Sequence, residues 1–219
     1  MRATRIVVLA AALAATAWPW AEAPAGLDLS ASITNVAGAP DTARFEILRW
    51  STDDERQRLL DAWNQKPAPT AAGKGAAKAA AKGRGPAAPT VAASPEESLA
   101  KALQEAPTVG YLWSSENAGY ALRYAGRFPN ADGSQRIVLL TQRRLGSLNP
   151  LWKPTFQGAP NAYEFSAIEL RTNAKGEGEG KVSLVGKIAA DPAIKMVTLE
   201  NYQALPAIFE KARRRATQP

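Results

Sequence analysis

The chain has 219 residues, 46% of them hydrophobic, with 27 Lys and Arg against 20 Asp and Glu and a formal net charge of +7. It contains neither Cys nor His. That removes disulfides, the usual zinc and copper ligands and the commonest nucleophile–base pairs, so no cofactor is called for, and stability must come from packing.

At the N-terminus, Arg2 and Arg5 precede an apolar run from Ile6 to Trp18, and small-residue cleavage options follow at Ala21-Glu22-Ala23 and Ala23-Pro24-Ala25. As a helix this run would cover about 20 Å, short of a hydrocarbon core of about 30 Å. Residues 1–23 therefore read as a cleaved signal peptide. The mature chain is expected in the periplasm or medium, with no transmembrane span and no lipid attached through an N-terminal cysteine.

Leu27, Leu29, Ala31 and Ile33 recur at the period of a half-buried strand, and Gly38, Pro40 and Asp41 mark a turn. Arg44 to Trp50 alternates again and predicts a second strand. Ser51 or Thr52 then caps a helix over about 52–65, with Asp53, Asp54 and Glu55 at its positive end and Leu59, Leu60 and Trp63 as its apolar stripe. Residues 24–65 thus form the first part of a single domain.

Residues 66–93 are almost entirely Ala, Pro, Gly, Lys and Thr, with Val91 as the one large aliphatic side chain. Such a segment cannot bury enough apolar surface to offset ordering and reads as a disordered insertion. Closing it costs only about 1.5 kcal/mol more than a five-residue connection.

Ser94-Pro95-Glu96-Glu97 carries a cap, a first-turn proline and a capping-box glutamate in the order that opens a helix. Leu99, Ala102, Leu103 and Ala106 form its stripe, and Pro107 ends it. From there to residue 210 the pattern is antiparallel β. Tyr111 and Trp113 share one strand face, and Tyr120, Leu122 and Tyr124 share another. Asp132-Gly133 turns into a strand over 135–142 in which Ile137 to Leu140 read as buried on both faces. A strand near 162–171 changes its pattern from Tyr163 and Phe165 to Ile168 and Leu170, which predicts a bulge around Ser166 to Ala167. A glycine-rich turn over 173–180 leads into alternation from Lys181 to Ile188, and Asp191-Pro192 turns the chain into Lys195 to Glu200. The expected fold is α+β: an antiparallel sandwich or partly closed barrel of about eight strands with two packed amphipathic helices.

The basic charge concentrates in the insertion (Lys66, Lys74, Lys78, Lys82, Arg84) and in a C-terminal cluster (Lys211, Arg213, Arg214, Arg215) read as part of a basic tail over 211–219. Without them the mature chain has 16 bases against 19 acids, so the folded body is expected to be mildly acidic and to carry no basic face.

Val109-Gly110-Tyr111, Gly119 to Ala125, Gly178-Glu179-Gly180-Lys181, Leu199-Glu200-Asn201-Tyr202 and the upstream Arg49 to Arg56 together resemble a family of uncharacterised exported bacterial proteins. The resemblance spans most of the mature chain except the insertion and the tail. It implies export and a single domain, and no activity.

Ser98-x-x-Lys101 and Ser115-Glu116-Asn117 match two motifs of penicillin-recognising enzymes, but no Lys-Thr-Gly or Lys-Ser-Gly triplet exists and the separation is too short. Glu164 and Glu169 are the obvious carboxylate pair, yet five residues apart on a regular strand they face opposite sides. Glu177 and Glu179 share a face and could hold calcium weakly, although their glycine neighbours favour a solvated turn. The best binding candidate is the loop over 145–161, where Leu148, Leu151, Trp152 and Phe156 sit among Pro150, Pro154 and Pro160. Such a loop, beside Tyr111, Trp113, Tyr120 and Tyr124, would contact a sugar or peptide or simply cap the core. The ligand-binding candidates are Trp113, Tyr120, Tyr124, Trp152 and Phe156, with no catalytic residue and no metal site assigned.

These features favour a non-catalytic exported binding or interaction module whose partner is an envelope protein or a small molecule. The alternative is a carboxylate-dependent hydrolase of envelope polysaccharide, which needs two facing acids about 5–10 Å apart. Weak contact of the basic insertion and tail with anionic surface polymers is a further expectation; a specific nucleic-acid partner is not.

Overall fold

The computed structural model describes residues 26–65, 93–114, 119–149, 152–158 and 160–215. The expected signal peptide, Ser115 to Asn117 and all of the insertion but Ala93 lie outside the described residues.

Twelve strands are described: β1 (Leu27–Ile33), β2 (Val36–Ala37), β3 (Thr42–Ile47), β4 (Gly110–Trp113), β5 (Gly119–Pro129), β6 (Gln135–Thr141), β7 (Lys153–Pro154), β8 (Ala167–Thr172), β9 (Gly178–Val182), β10 (Ile188–Asp191), β11 (Met196–Leu199) and β12 (Phe209–Arg214). Eight of them close an antiparallel barrel in the order β1-β12-β9-β8-β6-β5-β4-β3. Apart from excursions between some strands, the barrel follows the chain up and down, and β12 returns to pair with β1. The expectation of a mainly antiparallel fold of about eight strands with two helices holds, in its barrel form.

Among the described residues, two α-helices leave the barrel between β3 and β4. The first, α1 (Asp53–Asn64), is capped by Thr52 and the second, α2 (Pro95–Glu105), by Ser94, each with the full capping box supplied by Glu55 and Glu97. Their buried positions are Leu59 and Ala62 in α1 and Leu99, Ala100 and Leu103 in α2. Both lie against the outer wall of the barrel, alongside the β10–β11 hairpin.

The barrel wall therefore separates two cores. Inside it, Leu29, Phe45, Leu112, Leu122, Ile137, Leu139, Ile168, Leu170 and Phe209 pack together, with Phe45 edge-on to Phe209 at 4.9 Å. Outside it, Tyr124, Val138 and Leu140 meet Leu59, Leu99, Leu103, Met196, Val197 and Leu199. This explains the continuous apolar run Ile137 to Leu140, whose side chains feed the two cores alternately.

Three expectations need correction. First, Tyr124 does not share a face with Tyr120 and Leu122. The β5–β6 register shifts between Leu122 and Tyr124, so Arg123 is an extra residue that turns Tyr124 outward beneath the helices and brings Ala125 inward. Arg123 then donates to the Ala106 carbonyl just beyond α2, at 2.7 Å, and to Gln142 Oε1, also at 2.7 Å, which anchors that end of the helix to the wall.

Second, the strand near 162–171 begins only at Ala167. Tyr163 and Phe165 stack at 5.8 Å on the helix side before the chain enters the ladder, so the face change precedes the strand and no bulge interrupts β8. Likewise β9 stops at Val182; the left-handed Gly186 belongs to a turn rather than to a continued strand.

Third, Lys211 to Arg214 are not tail. They form most of β12, and the Arg215 backbone N–H donates to the Asp28 carbonyl at 3.0 Å, extending the pairing with β1. Returning Lys211, Arg213, Arg214 and Arg215 to the body changes 16 bases against 19 acids into 20 against 19, so the folded body is close to neutral instead of mildly acidic. The misreading has a simple cause: only Phe209 and Ala212 of this strand are buried, so its apolar alternation is too sparse to register.

On β5, the Tyr124 hydroxyl lies over Gly126, where an added Cβ would come within 2.3 Å of it. Gly126→Ala should therefore lower stability by about 1–3 kcal/mol through overpacking. The check is a reduced urea midpoint at unchanged slope, with part of the loss recovered when Tyr124→Phe is added.

Candidate functional site

Of the five predicted aromatic residues, the fold gathers three. The loop after β6 folds across the barrel end at which β1 finishes and β3 begins, and its β7 pairs with β2 there. Arg144 fastens its base by donating to the Asn161 and Leu184 carbonyls, and Gly146 N–H donates to the Tyr120 hydroxyl at 3.0 Å. Trp152 lies 6.4 Å from Tyr120, and both Trp152 and Phe156 are half-buried against the inner core. This cluster plugs the barrel end. Tyr124 lies on the far side of the wall, buried under the helices, where desolvation raises its hydroxyl pKa. Trp113 faces outward on β4, away from the loop.

The carboxylates fall into ion pairs. Glu164 is exposed and Glu169 fully buried, so the pair considered from sequence does not converge. Glu169 lies on the outer face of β8, where it accepts from Arg136 at 3.0 Å, from Arg171 at 2.8 Å and from the Thr198 hydroxyl of β11. Arg136 reaches across to Asp191 of β10 at 2.6 Å. For the Asp191 carboxyl, burial acts to raise the pKa, but the Arg136 bond and two backbone N–H groups outweigh it and hold the group below the ordinary range. Arg171 and Lys181 both lie over the Tyr202 ring, 3.8 Å and 4.5 Å from its centre. This network rivets the β10–β11 hairpin to the barrel.

The other acidic candidates are similarly accounted for. Glu179 pairs with Lys181 at 3.6 Å and receives the Tyr202 hydroxyl, while Glu177 sits in an exposed turn organised by Asn173. Glu55 closes the α1 capping box and holds Arg49 with two bonds of 2.7 and 2.9 Å. Among the described residues no three acidic side chains gather as a metal site would require. Ser98 sits on the helix surface as expected for an ordinary amphipathic helix.

A second surface was not anticipated. The outer wall opposite the helices, across β12, β1, β3 and β4, presents the cross-strand row Arg213, Ser30, Arg44, Trp113. The Trp113 ring lies flat over Gly119 of β5, close enough that a Cβ there would come within 2.9 Å of it, and Tyr111 is its neighbour at 5.4 Å. Trp113 Nε1 and Arg44 Nη2 both donate to one Glu46 oxygen, at 2.9 and 2.7 Å. The Trp113 bond, with Arg44, lowers the Glu46 pKa against the opposing effect of burial. Asp28 stands between Arg44 and Arg215 at 3.9 and 3.7 Å. Ser30, Thr42, Arg44, Trp113 and Arg215 help line a groove of about 490 Å³. The alternation of β1 and β3 announces outward positions at Ser30, Arg44 and Glu46, but their meeting with Arg215 depends on barrel closure.

Taken together, the described chain is an up-and-down eight-stranded barrel with a plugged end, a riveted hairpin and an open aromatic and cationic groove on its outer wall. No protein-family model, curated protein or solved structure matches it.

Arg136→Met should destabilise the protein by about 3 kcal/mol, because it strips one of the counter-charges from a fully buried carboxylate; chemical denaturation measures the loss. The lowered Asp191 pKa gives the pH dependence a sign. Its contribution is complete above the unfolded carboxyl pKa of about 3.9 and falls away as pH drops through the folded value. Amide exchange in β10 and β11, corrected for intrinsic rates, should therefore accelerate below about pH 4 before the barrel strands do.

Proposed function

We propose that the protein is a non-catalytic binding or interaction module of the cell envelope, exported by the signal peptide read in residues 1–23. The observation that carries this reading is the state of its acids. Glu169 is enclosed by Arg136, Arg171 and Thr198, and Asp191 shares Arg136, so these carboxylates face cations instead of an open cleft. A general acid needs access to a substrate; Glu169 is fully buried and has none, and Asp191 is occupied by Arg136. That favours the module over a hydrolase of envelope polysaccharide. The resemblance to exported bacterial proteins read from the sequence points to the same location.

The orientation of side chains along the barrel favours a water-surrounded molecule. Leu29, Phe45 and Leu112 point inward while Ser30, Arg44 and Glu46 point outward, the reverse of a barrel that faces lipid. Among the described residues no helix is long and apolar enough to cross a membrane.

Native mass spectrometry of the protein purified from its host envelope tests the proposal. We expect a chain beginning at or just after Pro24, carrying a reproducible extra mass or, after crosslinking in cells, a constant partner. A cytoplasmic chain that retains residues 1–23, or envelope-glycan cleavage abolished by Glu169→Gln in a folded variant, would overturn it.

A further inference from the structure

We propose that the groove beside Trp113 binds a carboxylate-bearing glycan, with the indole as the stacking platform and Arg44 and Arg215 as the carboxylate receptors. The inference rests on the binding-module reading and supplies its ligand class.

The platform is built before any ligand arrives. Gly119 lets the Trp113 ring lie flat across the neighbouring strand, and its N–H is tied to Glu46. One ring face is thus turned toward the wall and the opposite face away from it. A half-buried tryptophan fixed at both ring and N–H loses little rotamer freedom on binding, which is the advantage of a rigid aromatic anchor. The C–H face of a pyranose ring presents a flat, weakly apolar surface of matching shape, whereas an apolar peptide side chain would need a concave pocket. Beside the ring the lining carries the hydroxyls of Ser30 and Thr42, suited to sugar hydroxyls, among the apolar surfaces of Pro40 and Ala43.

Charge selects among glycans. Among the described residues the charged side chains lining the groove are Arg44 and Arg215, while Glu46 and Asp28 hold them from outside that lining. Both arginine side chains stay substantially exposed, at 41% and 45%, although Arg44 Nε is itself buried. Each has five N–H donors in a planar fork, so N–H groups remain to grip a carboxylate after the Glu46 and Asp28 contacts are made. Arg213 adds a further cation on the same row, and no partner engages it among the described residues. A nucleic acid fits less well: its phosphates recur at every nucleotide and favour a continuous basic stripe, and here Asp28 and Glu46 interrupt the cations.

The test is isothermal titration of the mature protein with oligogalacturonate, alongside a neutral gluco-oligosaccharide of equal length. We expect saturable binding of the acidic oligomer that weakens with salt, and at least roughly tenfold weaker binding of the neutral one. Trp113→Ala and Arg44→Gln should each weaken acidic binding by roughly tenfold or more, with circular dichroism unchanged. Replacing Lys66, Lys74, Lys78, Lys82 and Arg84 by Gln should leave it intact. Absence of oligogalacturonate binding, equal binding of the neutral oligomer, or binding that follows the insertion's lysines instead of Trp113 and Arg44 would each overturn the assignment. Such results would remove the glycan site alone, since the module reading is decided separately by the mass spectrometric experiment.

Discussion

Closure of the sheet by the pairing of β12 with β1 is the constraint on which the remaining structure depends. Without that ladder both strands would be open edges with unpaired backbone groups, and Leu29, Phe209 and Ala212 would lose the enclosure that buries them. Closure also has a consequence for charge. Bases that would trail in solvent on a free tail are carried onto the wall beside Ser30 and Arg44. One set of backbone hydrogen bonds thus completes the inner core and assembles the outer groove.

The wall sorts side chains by parity, and a single inserted residue can reverse the sorting. In β5, Tyr120 and Leu122 point inward, and the extra residue Arg123 sends Tyr124 outward. The reversal serves both sides. Ala125 is small enough for the crowded interior, and Tyr124 supplies the large apolar surface on which the helices rest. The displaced Arg123 is not wasted, since its guanidinium fixes the end of α2 and the Gln142 side chain. Glycines complete the arrangement on the same strand: Gly126 accommodates Tyr124 and Gly119 accommodates Trp113.

How much of this was legible follows from which signals are local. The Ser94–Glu97 capping box, the apolar run from Ile137 to Leu140 and the Asp132-Gly133 turn are written in adjacent residues and were read at their observed places, whereas the first helix's cap was left between Ser51 and Thr52 and its capping box with Glu55 was not read. The candidate site was less legible. Trp152, Phe156 and Tyr120 were grouped correctly because a stiff proline-rich loop next to a barrel end has few places to put its aromatic residues. Tyr124 and Trp113 were misgrouped with them, the first because a bulge leaves no mark in apolar alternation and the second because a two-residue period cannot tell inward from outward. Arg44 and Arg215 were missed for a different reason. They are 171 residues apart in the chain, and only the strand order brings them to one groove.

The two charged clusters of the barrel differ in a way that bears on what each can do. Around Glu169 the carboxylate is fully buried and its partner Arg136 is largely covered, so their interaction is already complete, and a ligand would have to break it and meet a large desolvation cost. Around Glu46 the same residue types sit at the surface, where Arg44 and Trp113 are held by one oxygen and keep unused faces and donors toward solvent. A polar group contributes to recognition when its orientation is fixed and its hydrogen bonds are not exhausted. The buried network meets only the first condition and acts as a rivet; the groove meets both. The surface with the simpler chemistry is therefore the one suited to binding, and the outer wall opposite the helices, left free by the packing of the second core, is where the fold leaves room for it.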